Sequence, residues 1–189
     1  MKRKNFITTE LTVNTGKLRE PIRTAVLSDL HNTEYGIGNF DLVEAVRVSQ
    51  PDIITLVGDL MTFGNPNYSV ASTLCRQLVK IAPVYFVCGN HEYEMVTFFN
   101  CCICKDLKEM GVHVLHNEKE TVEINGNAID IIGIACGPSF YSRFVEAKVL
   151  PMLDGDNFKL VLVHDPGYFQ KKFEKKYGKS LIGKNIHIK

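Results

Sequence analysis

No apolar stretch in this chain approaches the roughly 20 residues needed to cross a bilayer. Net charge is nearly absent as well: 22 basic against 21 acidic residues leave +1 at pH 7. That excludes a global field drawing in nucleic acid or an anionic membrane. The basic runs at residues 2–4 and 171–176 are short and read as solvated faces. There is no internal repeat, no low-complexity tract and no linker long enough to divide domains. The 189 residues therefore read as one domain with a sizeable core. Residues 1–5 are basic like the start of a signal peptide, but Thr8, Thr9, Glu10 and Thr12 make the next stretch too polar for one. A cytosolic (cytoplasmic) address is expected, with a peripheral place at the membrane as the alternative.

The cysteines are Cys75, Cys88, Cys101, Cys102, Cys104 and Cys136. Only Cys101 and Cys104 form a C-x-x-C, and no second pair completes a four-thiolate zinc site. Their segment reads as an amphipathic helix, so buried or half-buried free thiols are expected. A redox pair is the lesser alternative.

Apolar residues make up 45% and charged residues 23%, as in ordinary globular proteins. Residues 6–14 alternate loosely before Thr15-Gly16 and are expected to pair as a hairpin with a strand near Ile22. Helical spacing follows over 39–49, with Asn39 or Asp41 as cap, then a strand over 52–57. A helix over 68–81 leads to a strand opened by Pro83. A third helix is expected over 95–110, closed by Gly111, and then a short strand over 112–115. Asn125-Gly126 suits a two-residue turn between strands at 121–124 and 128–135. A helix over 139–150 should stop at Pro151, with a strand over 158–163 and a charged helix over 168–177 after it. Helix and strand alternate first and hairpins come later. That order points to an α/β domain with a mixed sheet or two packed sheets, covered by helices.

Four apolar runs end in metal-binding or acid/base residues. Residues 24–28 lead into Asp29 and His31, 52–57 into Gly58 and Asp59, 84–88 into Gly89, Asn90, His91 and Glu92, and 159–163 into His164. Parallel strands end on one edge of a sheet, so these side chains can converge. Converging Asp, His and Asn donors suit a pair of divalent metals. Asp29 and His31, two positions apart, can grip one metal together at a strand end. Asp59 has two oxygens with which to bridge, and Asn90 and His164 offer donors to a second cation. Two such cations would clamp a phosphoryl oxygen and acidify a bridging water, and His91 could protonate the leaving group.

These motifs, Asp29-x-His31, Gly58-Asp59, Gly89-Asn90-His91-Glu92 and His164, resemble the successive motifs of the calcineurin-like metallophosphoesterase family. The phrases SDLH, PDIITLVGDL, PVYFVCGNHEY and LVLVHDP resemble its bacterial phosphodiesterase branch, the UDP-diacylglucosamine-hydrolase-like proteins. The resemblance implies a layered α/β/β/α sandwich with mixed sheets, of the metallo-dependent phosphatase kind, with a dinuclear centre. It implies Asp29 and His31 on the first metal, Asp59 bridging, Asn90 and His164 on the second, and His91 as general acid. Manganese, iron or zinc would suit such donors. The implied substrate is a small-molecule or lipid-linked phosphoester, with no nucleic-acid partner.

Two departures matter. Thr62 stands where the family often has the last Asp of Gly-Asp-x-x-Asp. The family's final Gly-His-x-His is missing; near its place the chain reads Gly183-Lys184, with His187 alone beyond. The expectation is a single domain over 1–189, truncated or degenerate at its C-terminus, in which each metal lacks one protein ligand unless water or His187 substitutes. Lys184 as a phosphate-binding cation is a minor expectation. The competing function is a weak or inactive scaffold that keeps the fold. Glu92 is expected to serve as a helix-start carboxylate, with orienting a metal ligand as the alternative; His113 and His116 are expected as ordinary side chains, and Asn32 as a loop amide, with an approach to substrate as its alternative. Tyr35, Tyr93 and Phe140 are expected in the core or on a cleft rim.

Overall fold

The structure, a computed structural model, describes residues 6–134 and 148–166. Strands β1 (Thr24–Leu27), β2 (Ile53–Val57), β3 (Val84–Val87) and β4 (His113–Val114) form a parallel sheet in that order. A second sheet holds β5 (Glu118–Ile124), β6 (Asn127–Ile134) and β7 (Phe158–Val163). In it β5 runs antiparallel and β7 parallel to β6. Four helices, α1 (Phe40–Val48), α2 (Ser69–Leu78), α3 (Asn90–Phe99) and α4 (Cys104–Glu109), lie between the strands of the first half.

The period of two along a strand sorts the core into layers. Ile54, Leu56, Val84 and Phe86 face helix residues Leu42, Val46, Leu74 and Leu107. Ile53, Tyr85 and Val87 point the other way and meet Ile129, Ile131 and Leu162 of the second sheet. Ile132 and Ile134 reach that sheet's far face, where Val149 and a 3-10 turn, Leu150–Leu153, cover them. The molecule thus has the expected α/β/β/α layering; among the described residues its last layer is this turn. Strand β2 is buried on both faces, as a central parallel strand must be, and is apolar except for the buried Thr55. No helix of the described residues is long and apolar enough to cross a membrane.

Two expectations are corrected. Residues 6–14 form no strand, because Thr8, Thr9, Glu10 and Thr12 supply no apolar face; Ile7, Leu11 and Val13 are exposed, and only Phe6 packs inward, edge-on to Tyr35 at 5.4 Å. The helix expected over 95–110 starts earlier, at Asn90, and breaks at Asn100, which turns left-handed at φ 48° before α4 begins. Asn tolerates that conformation, so it can end a helix as Gly does. The α-helical residues 148–149 give way to the 3-10 segment just before Pro151, where the helix is expected to end; Pro151 sits in the first turn of that segment, where its missing N–H costs nothing. Most of the helix expected over 139–150, and all of that over 168–177, lie outside the described residues. The hairpin turn is as expected: Asn125 and Gly126 take φ 50° and 71° between paired Ile124 and Asn127.

One buried charge holds the second sheet together. Asp130 on β6 accepts from Thr121 Oγ1 at 2.8 Å and Asn157 Nδ2 at 3.0 Å, with Lys119 and Lys159 at 3.5 and 3.6 Å. Burial alone would raise its pKa, but these bonds and the two lysines hold it below the usual carboxylate value. Its contribution is therefore full above the ordinary Asp pKa and is lost as pH falls through the lowered folded value. Asp130→Ala should destabilise the fold by about 2–3 kcal/mol in urea at neutral pH, and the difference from wild type should shrink in acid.

Candidate metal centre

Strands β1, β2 and β3 are parallel, so their C-terminal ends share an edge, and β7 delivers His164 beside β2. The polar residues lie just past the strand ends, in two loops laced together by backbone hydrogen bonds. The N–H groups of Asp29, His31 and Asn32 donate to the carbonyls of Gly58, Asp59 and Leu60 at 3.2, 2.9 and 2.9 Å. Asp29, His31, Asn32 and Asp59 all have left-handed backbones, with φ between 46° and 56°. That is costly for residues with a Cβ and marks a site where the fold overrides local preference. Asp29 and His31 therefore turn together through this loop rather than by strand alternation. Close approach needs glycine at two points. A Cβ on Gly58 would fall 2.6 Å from His164 Nδ1, and one on Gly89 would fall 2.6 Å from the Asp59 nitrogen.

Five of the six expected side chains meet here. Asp59 Oδ2 lies 3.4 Å from His164 Nε2 and 3.9 Å from both His31 Nε2 and His91 Nε2. Asp29 Oδ1 lies 3.7 Å from His31 Nε2 and 4.0 Å from His164 Nε2. Two donor groups result, His31–Asp59–His91 and Asp29–Asp59–His164, and Asp59 belongs to both. Asn90, the sixth, is the first residue of α3 and sits next to His91, with its side chain half-buried. The Asp59 side chain is 4% exposed and that of Asp29 53%, so the centre opens to solvent on the Asp29 side.

Hydrogen bonds at the far ring nitrogens distinguish the histidines. His164 Nδ1 lies 2.9 Å from the Val57 carbonyl and His31 Nδ1 3.3 Å from that of Met61. A carbonyl only accepts, so both rings carry hydrogen on Nδ1 and can present a free Nε2 lone pair to a cation. His91 is reversed: its Nδ1 accepts the Phe63 N–H at 2.9 Å. In the neutral ring its proton must then sit on Nε2, the atom facing Asp59.

Burial opposes the charge on Asp59, but the bond from His164 and the His91 N–H at 3.0 Å hold its pKa below the usual carboxylate value. Burial likewise opposes charge on His164, yet Asp59, the Val57 carbonyl and Asp29 raise it to about 9. The carboxylates thus favour a positive charge at His164 Nε2, and a divalent cation held there would supply it in place of the proton. Oxygen and imidazole donors, a shared carboxylate and two correctly bonded imidazoles all fit divalent metals.

Glu92 does more than start a helix. It is fully buried, and its carboxylate accepts the N–H groups of Asp59, Met61 and Gly89 at 2.8, 2.9 and 2.8 Å. It clamps the Asp59 loop to the α3 start. The signal was its place three residues after Gly89, half of a capping box. Ser28 was not singled out from the sequence; its hydroxyl bonds Asp29 and the Val57 carbonyl. The Asn32 amide is buried with no hydrogen-bond partner among the described residues. Tyr35 and Tyr93 pack against the core, and His113 pairs with Glu120 at 2.9 Å and stacks on Tyr85. Phe140, Lys184 and His187 lie outside the described residues.

Sequence comparisons agree with this geometry. The chain is 28% identical over 149 residues to Phosphodiesterase YaeI of Escherichia coli, covering 77% of this chain and 53% of that protein. It is 28% identical over 151 residues to the uncharacterized metallophosphoesterase YkoQ of Bacillus subtilis, covering 78% and 54%. It is 27% identical over 150 residues to the uncharacterized protein YpbG of the same organism, covering 79% and 55%. The chain thus spans about half the length of these relatives. The model of the family described as "Calcineurin-like phosphoesterase" matches residues 22–184. With that match over most of its length, the chain belongs to the calcineurin-like phosphoesterase family.

Proposed function

We propose that this domain hydrolyses a phosphoester with two divalent cations, and that a diester is its substrate. The observation that carries the reading is the Asp59 carboxylate, shared by two donor groups that otherwise contain only Asp and His. By the family's motifs Asp29, His31 and Asp59 would hold one cation, and Asp59, Asn90 and His164 the other; the donor groups of the structure divide the same centre differently, with His31 and His91 beside Asp59 in one and Asp29 and His164 in the other. When bound, such cations stabilise charge on phosphoryl oxygens and make water a competent nucleophile at neutral pH. Manganese, iron and zinc all suit these donors. The diester preference is supported by the relative named as a phosphodiesterase. The phrases that resemble the UDP-diacylglucosamine-hydrolase-like branch favour a nucleotide-linked lipid precursor among the diesters. A cytosolic address belongs to the same proposal.

His91 acts as the proton donor. Its Nδ1 is occupied by the Phe63 N–H, so Nε2 is the nitrogen left to hold a proton toward the departing oxygen. The His91 backbone N–H also fixes Asp59 Oδ1, which ties the donor's position to the bridging carboxylate. His91→Ala should lower kcat on an aryl phosphodiester by about 10²–10⁴-fold, and less when the leaving phenol is strongly acidic. Manganese content should stay at the wild-type level. Loss of manganese would make His91 a ligand instead, and unchanged turnover would refute the acid role.

A further inference from the structure

A pair of thiols stands directly behind the metal centre. Cys88 ends the β3 run, and the next residues are Gly89, Asn90 and His91. Its sulfur lies 3.3 Å from that of Cys104, the first residue of α4. That gap is about 1.3 Å longer than a disulfide bond. Cys101, the other half of the C-x-x-C, turns away to the Pro66 carbonyl at 3.7 Å, so the spatial pair differs from the pair visible in the sequence. Both residues are half-buried and pack against the main core. The hydrogen bond from Cys88, with a second from Cys102, holds the Cys104 thiol below its ordinary value, which supports Cys104 as the attacking sulfur.

We propose that Cys88 and Cys104 form a reversible, peroxide-driven disulfide that loosens the metal centre. The Cys104 thiolate attacks one oxygen of the peroxide, the O–O bond breaks and hydroxide leaves, forming a sulfenic acid. The Cys88 sulfur then attacks Cys104; the sulfenic oxygen departs with the Cys88 proton as water. Two thiols lose two protons and two electrons, and one peroxide becomes two waters. Closing the gap draws Cys88 toward α4, and Gly89 must follow. Gly89 has no room to shift independently, because its Cα abuts Gly58 and Asp59 and its N–H is fixed by Glu92. The displacement therefore reaches the carboxylate shared by both donor groups. This coupling rests on the metal-centre reading above; formation of the disulfide does not.

The test treats the purified chain with about one equivalent of hydrogen peroxide, removes it, and titrates manganese into oxidised and reduced samples. The expected results are a mass loss of about 2 Da, a Cys88–Cys104 cross-linked peptide in a non-reducing digest, and manganese affinity about tenfold weaker, restored by dithiothreitol. Cys104→Ser should bind manganese like the reduced chain before and after peroxide. Cross-links that leave Cys88 free, oxidation to sulfinic acid without a disulfide, or equal manganese affinity in the cross-linked and reduced chains would each overturn the proposal. A chain that cross-links as expected but binds no manganese when reduced would refute the metal-centre reading, and the coupling with it.

Discussion

Asp59→Ala is expected to abolish measurable manganese-dependent diester hydrolysis, a loss of at least about 10³-fold, because Lewis-acid stabilisation supplies several kcal/mol and each 1.36 kcal/mol is tenfold. Asp29, His31, His91 and His164 each belong to one donor group; Asp59 belongs to both. Its removal takes a ligand from each cation at once, so manganese should fall from about two to fewer than one per chain. It also frees His164, whose raised pKa depends on the neighbouring carboxylate, and leaves the His91 N–H without an acceptor. The paired measurement is turnover and metal content on one preparation, compared with His91→Ala. Loss of turnover with metal retained belongs to His91, and loss of both to Asp59. Turnover unaffected by Asp59→Ala would end the enzymatic interpretation.

The second large effect is on stability. Glu92→Ala should destabilise the chain by about 3–5 kcal/mol, because three backbone N–H groups in a buried site lose their acceptor together. Urea denaturation reads this directly. The same change unties Asp59 from the start of α3, so manganese affinity should fall about 10–100-fold even under conditions where the variant is folded. Glu92→Gln separates charge from shape. Burial raises the Glu92 pKa, with the backbone bonds opposing, so the folded chain holds the proton more tightly than the unfolded one. The wild type therefore loses stability as pH rises from the ordinary Glu value through the raised one. Glu92→Gln should lack that decline in the metal-free chain. An alanine variant as stable as wild type would show that water replaces the carboxylate.

Much of the fold was legible because its signals are local. The apolar runs before Asp29, Asp59 and Asn90 became β1, β2 and β3, and Asn125-Gly126 made its hairpin. Their order also announced which polar residues would share an edge, since parallel strands align their ends. Where reading failed, one local signal masked another. Asn100 looked like one more helical residue until its left-handed turn divided α3 from α4. Loose alternation in residues 6–14 mimicked a strand that has no apolar face to bury.

Residue identity alone determined the donor chemistry, because Asp, His and Asn at strand ends can serve only a short list of ligands. Tertiary structure decided how each donor is held. The motifs set His91 apart as the acid but do not say which ring nitrogen of His91, His31 or His164 carries the proton; the backbone group reaching each far ring nitrogen, from Phe63, Met61 or Val57, sets that. Nor does spacing in the chain bring Cys88 to Cys104 in place of Cys101, or Glu92 to the Asp59 loop. Those contacts join segments packed by separate strands and helices, and a hydrogen bond forms with the matching donor or acceptor that the fold brings within reach.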